Sequence, residues 1–240
     1  ITLMISKKTF SNLPDILLIK GGTTNMVHLD VGHPLKDLEG VLEKLQNNTL
    51  TKESRNVLRI HPSNSDIDHY GFFFAIGAIP RAIQAVKKTY HKVGLTGRLG
   101  EFFAALSIIM RLLAGGVKNH PILQPKTIGF SFDGESWSKN TVIFSFASTL
   151  QKMILGIHPP QKPEHFFWAS LIWPYKRLLP EIKTFKRGKK PEGQAIKTDL
   201  YNTPMFIKGP EQWVLDGEIF PLPEKAILKI DSDTKISFLV

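Results

Sequence analysis

Two short patterns in this sequence bring together groups that can act on a phosphate and on a hydroxyl. The first is Gly21-Gly22-Thr23-Thr24-Asn25, directly after the apolar run DILLIK at 15–20. Glycine lets a backbone approach a phosphate closely, while Thr and Asn offer donors at the mouth of a following helix. The pattern has neither the Lys-Ser/Thr of a P-loop nor G-x-G-x-x-G spacing, and a plain strand-to-helix turn would read the same way. The second is Asp216-Gly217-Glu218, set between WVL and IFPL. A carboxylate pair on a tight turn can supply a base for a substrate hydroxyl and a ligand for a metal or ribose. The same tripeptide stands at Asp133-Gly134-Glu135. Asp-Gly is also ordinary hairpin chemistry, so the residues alone leave both copies open between turn and site.

Other chemistries are excluded by composition. The chain has no cysteine, which removes disulfides, thiolate metal sites and cysteine nucleophiles. Its 8 histidines are scattered without H-E-x-x-H or paired spacing, and no G-x-S-x-G is present. The excess of 31 Lys+Arg over 21 Asp+Glu gives a net charge of +10, a field that attracts nucleotides, nucleic acid or an acidic lipid surface. No nucleic-acid reader motif accompanies it, so nucleic acid is not expected as a partner.

The densest positive charge lies at 175–190 (YKRLLPEIKTFKRGKK), where Lys183, Lys186, Arg187, Lys189 and Lys190 face one acid, Glu181. Tyr175, Leu178, Leu179, Ile182 and Phe185 recur there at near-helical spacing. A basic face beside an apolar stripe suits an anionic membrane surface; a solvated surface with its apolar side on the core would look alike. Pro180 predicts a short helix that starts after it. The most apolar stretch, 102–114, contains Arg111 and falls well short of the roughly 20 residues needed to span a bilayer. With no signal-peptide pattern at Ile1, a cytoplasmic, peripherally membrane-associated protein is expected.

These groups need elements to position them. The run at 15–20 predicts a buried strand feeding the glycine turn, and Leu35, Leu38, Val41, Leu42 and Leu45 predict a helix over about 34–47. Residues 1–52 therefore read as the end of an α/β domain. From 53 to 240 the chain is β-rich, with strands expected at 56–60, 69–76, 127–132, 141–146, 165–172, 195–200, 212–215, 226–230 and 235–239. A helical insert over about 78–116 interrupts them, built from helices at 80–92 and 99–114. Phe102, Phe103, Leu106 and Met110 of the second helix could border an apolar pocket, although their spacing is that of a core face.

In this order, the features resemble the superfamily of diacylglycerol kinases, sphingosine kinases and bacterial lipid kinases. Its G-T-x-N turn is matched by Gly22, Thr23 and Asn25, and its late D-G-E by Asp216, Gly217 and Glu218. The stretch 69–116 looks like the bacterial lipid-binding domain with its helical insert. The resemblance implies the end of an α/β nucleotide-binding domain followed by a β-sandwich-like lipid kinase domain. It also implies ATP and Mg2+ as cofactors and transfer of the γ-phosphate to a hydroxyl of a diacylglycerol-like lipid at an anionic membrane surface. By analogy Gly22, Thr23 and Asn25 line the nucleotide cleft, Asp216 accepts the hydroxyl proton, and Gly217 and Glu218 help order the nucleotide or its magnesium.

Three departures accompany the match. The family's G-G-D-G-T phosphate loop lies upstream of the turn and is not found among these residues, so an incomplete catalytic unit is expected. Met26 stands where an acid usually follows the Asn, and the next acid is Asp30. Around 159–168 only Glu164 is acidic, so no magnesium loop is matched and metal ligands stay unassigned. A non-catalytic lipid-binding or regulatory protein on the same fold, and a nucleotide kinase of the NAD-kinase type, are the alternatives.

Overall fold

Among the described residues, runs of aromatic and β-branched residues form one twelve-stranded sheet that curls on itself. Its strands are β1 (Ile16–Leu17), β2 (Lys52–Pro62), β3 (His69–Gly71), β4 (Phe73–Gly77), β5 (Lys126–Ser131), β6 (Ser138–Ser148), β7 (Phe166–Ile172), β8 (Ile196–Tyr201), β9 (Met205–Lys208), β10 (Gln212–Leu215), β11 (Glu218–Pro221) and β12 (Ile227–Leu239). Helices α1 (Met26–Val31), α2 (Leu38–Gln46), α3 (Ala78–Tyr90), α4 (Arg98–Ala114) and α5 (Leu178–Lys186) accompany it. The computed structural model describes residue 5 and residues 13–18, 26–31, 38–90, 98–115, 120–153, 158–159, 165–175 and 178–240.

The main path of the sheet runs β11-β10-β4-β6-β5-β9-β12-β2-β3, with β7 and β8 added beside β6. Pairing is antiparallel except for β1, which runs parallel to β12. Strands β4 and β5 lie end to end on one side of β6: Phe73–Gly77 pair with its residues 144–148, and Lys126–Phe130 with 138–142. The helical insert leaves the sheet at that junction. Gly77, at φ +80°, turns the chain out, and a Cβ there would collide with the Ile143 carbonyl. Arg81 then ties the two ends of the insert, donating from Nε to Gly77 O (3.1 Å) and from Nη1 and Nη2 to Pro121 O (3.2 Å) and Gln124 O (2.6 Å).

Two apolar clusters use alternate residues of the same strands. Phe73 and Ala75 of β4 face one cluster with Ile83, Ile109, Phe167 and Phe238. Phe74 and Ile76 face the other with Leu58, Ile60, Ile128 and Trp213. This is the period-two pattern of a strand buried on both faces, and each buried Phe, Leu or Ile among them stabilises the fold by about 1.5–3 kcal/mol.

Three expected elements are corrected. The strands at 226–230 and 235–239 are one strand, β12, whose register shifts between Asp231 and Thr234; a bulge there absorbs the polar residues that read as a break. The strand at 69–76 is two, because the chain changes neighbours at Phe72: β3 pairs with β2, and β4 with β6 and β10. The helix at 178–186 begins before Pro180, not after it. Proline is tolerated there because first-turn amides have no helical acceptor to lose.

Candidate active site

Strands β10 and β11 are joined by a two-residue turn, Asp216-Gly217, with both residues at positive φ (48° and 87°). That is the conformation a tight hairpin favours, and an Asp-Gly sequence supplies it at low cost. The turn directs the Asp216 carboxylate back onto the point where β3 passes into β4. Its Oδ1 accepts the amides of Phe73 (2.9 Å) and Phe72 (3.1 Å), and its Oδ2 lies 3.1 Å from the Phe72 amide. The Asp216 amide in turn donates to Phe73 O at 2.9 Å.

Space for the carboxylate comes from Gly71, where a Cβ would stand 2.5 Å from Asp216 Oδ2 and 2.7 Å from Leu215. Burial pushes the Asp216 carboxyl up to about 6; the Phe72 and Phe73 amides oppose the rise, and Glu218 adds to it. Glu218 itself is exposed at the start of β11.

Phe73 also lines an apolar cavity of about 90 Å3, whose lining does not include Asp216 or Phe72. Its walls include Phe73 of β4, Phe146 of β6, Leu106 and Met110 of α4, and Ile182 and Phe185 of α5, with Lys186 at its edge. Phe73 thus holds the carboxylate with its amide and lines the cavity with its ring. Of the aromatic pair noted on α4, the side chains of Phe102 and Phe103 lie outside the described residues.

Helix α1 follows the glycine turn in sequence and packs on the same cluster through Met26 and Val31. Asp30 on this helix is buried; its Oδ2 accepts Arg55 Nε at 2.7 Å, and its Oδ1 accepts the amides of Gln151 (2.7 Å) and Lys152 (2.6 Å). The 148–152 segment also reaches Phe72, whose carbonyl accepts Ser148 Oγ at 3.0 Å. Residues 148–152 therefore touch both Asp30 of α1 and the Phe72 carbonyl. Gly22, Thr23 and Asn25 lie outside the described residues.

The basic segment folds as α5 followed by an exposed run. Leu178 and Phe185 are buried, while Lys183, Lys186, Arg187, Lys189 and Lys190 are exposed. Glu181 points inward, its oxygens accepting the amides of Ala195 (3.2 Å) and Ile196 (2.8 Å).

Several participants escaped the sequence reading. Gly71 could have been flagged, since a glycine inside a strand pattern often marks close approach. Asp30 was visible as the next acid after Asn25, but no local signal announces Arg55 as its partner. Among the described residues no three His, Asp or Glu side chains converge to hold a metal.

No protein-family model matches the sequence, and no curated protein sequence matches it significantly. Solved structures do resemble the fold. A candidate diacylglycerol kinase from Bacillus anthracis str. Sterne superimposes with a TM-score of 0.59 at 13% identity, over 94% of this chain and 68% of that one. Two further structures from the same organism, a candidate diacylglycerol kinase and a diacylglycerol kinase, give TM-scores of 0.54 and 0.51 at 12% and 11% identity. Each covers 96% of this chain, and 69% and 68% of its own length respectively. The resemblance read from the two motifs therefore extends to the fold: the chain has the mostly-β, diacylglycerol-kinase-like fold with a curled antiparallel sheet. Among the described residues no helix is long and apolar enough to cross a membrane.

Proposed function

We propose that the chain belongs to an ATP-dependent lipid kinase that phosphorylates a hydroxyl of a diacylglycerol-like lipid. One observation carries the reading: Asp216 is held by the Phe72 and Phe73 amides, and Phe73 also lines an apolar cavity. In this proposal residues 1–52 complete a nucleotide-binding domain and 53–240 form the lipid-binding domain, with the insert at about 78–116.

Asp216 is the base. With a carboxyl near 6, it is ionised at neutral pH yet basic enough to take a proton as the hydroxyl oxygen attacks phosphorus. The two amides fix its oxygens so that little reorganisation accompanies the transfer. The cavity receives a short stretch of hydrocarbon next to the reacting hydroxyl and keeps water away from it. ATP, as its magnesium complex, supplies the phosphoryl group. Gly22, Thr23 and Asn25, with Gly217 and Glu218, are assigned to the nucleotide side by resemblance.

The lipid must be met where it resides, and α5 is the proposed contact with an anionic membrane at the cytoplasmic face. With Glu181 turned inward, the cations of this segment face outward without its acid, and Leu179 at the helix start is 64% exposed. Each basic residue near an acidic bilayer contributes about 1 kcal/mol.

The kinase reading is tested with the full-length protein, γ-labelled ATP and magnesium, offering diacylglycerol in mixed micelles and, separately, NAD. Labelled phosphatidate is expected; label in NAD alone, or in neither, overturns it. The membrane contact is tested by co-sedimentation with phosphatidylglycerol vesicles. Changing Lys186, Arg187, Lys189 and Lys190 together to Gln should abolish most salt-sensitive binding, and unchanged binding would remove α5 as the anchor.

A further inference from the structure

The curled sheet stays open at one seam. Among the described strands β8 pairs with β7 alone, although the chain runs from it directly into β9, which pairs with β5 and β12. Paired residues project on the same face of a sheet and successive residues on opposite faces. The registers set Trp168 against Asp199, Ser170 against Lys197 and Phe166 against Tyr201, so Lys197, Asp199 and Tyr201 all project on the side of Trp168. Phe130 of β5 reaches that side, its ring centroid 5.6 Å from the Trp168 ring. A groove of about 360 Å3 lies there, lined by these groups with Phe132 and Asn140, a size within the roughly 300–1,000 Å3 of small-molecule sites. It shares Ser170 and Ile196 with the apolar cavity, so the two spaces adjoin.

Its floor and its walls differ in chemistry. Phe130 and Trp168, both buried, form the floor, and Phe132, 46% exposed, stacks on Tyr201 with ring centroids 4.9 Å apart. Along β8 the groups change in kind at two-residue steps of about 6.5–7 Å: an ammonium at 197, a carboxylate at 199 and a phenol at 201. Among the described residues the Asn140 amide group, the Lys197 ammonium and the Tyr201 hydroxyl have no hydrogen-bond or ion-pair partner, and Asp199 accepts only the Leu200 amide, at 3.0 Å. Burial, aided by Asp199, pushes the Tyr201 phenol up to about 12, which keeps it protonated and able to donate.

Donors and an acceptor thus stand unpaired on one face, above an aromatic floor. Asp199 repels an anion placed beside it, and Lys197 repels a cation. A hydroxyl satisfies both, because it donates and accepts at once: it can give its hydrogen to Asp199 and take one from Lys197, Tyr201 or Asn140. The exposed Phe132 ring offers apolar surface to the carbon–hydrogen face of a saturated ring.

We infer that the groove binds an uncharged sugar, one pyranose ring lying against Phe132 with its hydroxyls shared among Asn140, Lys197, Asp199 and Tyr201. A sugar carries several hydroxyls around one ring, so a single ligand engages groups of opposite charge that no simple ion could satisfy together.

The probe is methyl β-glucopyranoside, titrated into the full-length protein and followed by saturation-transfer NMR at two salt concentrations, beside octyl β-glucopyranoside below its micelle concentration, 9-methyladenine and inorganic phosphate. The methyl glycoside has no tail to enter the adjoining apolar cavity, so its signal reports the groove. Saturable binding that salt leaves unchanged is expected, since screening acts on charged ligands. Asp199→Asn should weaken it at least tenfold, and Tyr201→Phe and Phe132→Ala several-fold. Tyr201→Phe should melt as wild type does, because its hydroxyl has no partner to lose. Asp216→Asn should bind the sugar unchanged, whatever the kinase assay returns. Octyl glucoside binding more tightly than the methyl glycoside, and still weakened by Asp199→Asn, would identify a glycolipid headgroup as the ligand; equal binding would identify a free sugar. The lining sets Lys190 and Lys197 against the single acid Asp199, so phosphate or 9-methyladenine binding more tightly than the sugar would overturn the inference. Absence of saturable binding, or full affinity in both Asp199→Asn and Tyr201→Phe, would overturn it equally.

Discussion

Asp133-Gly134-Glu135 and Asp216-Gly217-Glu218 are the same tripeptide, each set between two antiparallel strands, and the fold gives them different surroundings. Asp133 stays within its own loop: Oδ1 accepts the Ser136 amide (2.7 Å), the Ser131 hydroxyl (2.8 Å) and the Glu135 amide (2.8 Å). Those donors, the Ser136 amide foremost, hold its carboxyl well below the usual range. The donors to Asp216 come instead from residues 143 and 144 positions away in the chain, and burial raises its carboxyl. The first turn is complete in six residues, whereas the second closes a long-range contact at the wall of a cavity. A local motif specifies a turn; the chemistry of its carboxylate is specified by what the fold places against it.

Exchanging the two aspartates gives the largest contrast. If the protein is the proposed kinase, Asp216→Asn should lower its turnover by about two orders of magnitude or more, the usual cost of removing a general base, with vesicle binding retained. Asp133→Asn should leave turnover within about twofold. If Asp133→Asn abolishes turnover and Asp216→Asn does not, the assignments are reversed.

The glycines sharpen the contrast without touching a carboxylate. Gly71→Ala puts a methyl group 2.5 Å from Asp216 Oδ2, so the carboxylate must move. A displacement of that kind should cost on the order of tenfold to a hundredfold in turnover. At Gly134, with φ +82°, the nearest atoms to a Cβ are Phe206 ring carbons at 3.8 Å. Gly134→Ala therefore meets only backbone strain, about 1 kcal/mol of stability, and turnover should not change. Kinetics and melting curves on the two variants check this; a fully active Gly71→Ala would show that the Asp216 position is not critical.

How far the sequence carries follows the same division between local and distant partners. Period-two and period-3.6 patterns identify most of the described strands, the insert helices and α2, because those patterns are set by burial of one face or two. Lost were features that depend on remote contacts, the break at Phe72 and the continuity of β12 across Asp231 and Thr234, and one local feature, the start of α5 ahead of Pro180. At the site, Asp216 and its turn were legible as a tripeptide. Gly71, the amides of Phe72 and Phe73, and the Asp30–Arg55 pair were not, since each has meaning only once segments far apart in the chain are in contact.

Stability against pH tests the two environments without an activity assay. The Asp216 carboxyl is raised from 3.8 to about 6 in the folded protein, so between those pH values the folded state binds more protons than the unfolded chain, and stability falls as pH rises through that window. Above it the ionised carboxylate costs about 2–3 kcal/mol. Asparagine keeps one oxygen to accept the two amides and never ionises. Asp216→Asn should therefore be more stable than wild type at pH 7.5 by about 2 kcal/mol, a melting shift of several degrees, and the gap should close toward pH 4. Asp133 works in the opposite sense. Its carboxyl is depressed in the folded state, so it contributes stability above the unfolded value that is lost as pH falls toward the folded one. Asp133→Asn should be the less stable protein at pH 7.5 and approach wild type only in acid. Melting temperatures of both variants between pH 4 and 8 should diverge from wild type in opposite directions as pH rises. Were Asp216→Asn to melt below wild type at pH 7.5, its carboxylate would be a structural acceptor favoured by the Phe72 and Phe73 amides rather than a strained base, and the distinction between the two turns would be one of distance along the chain alone.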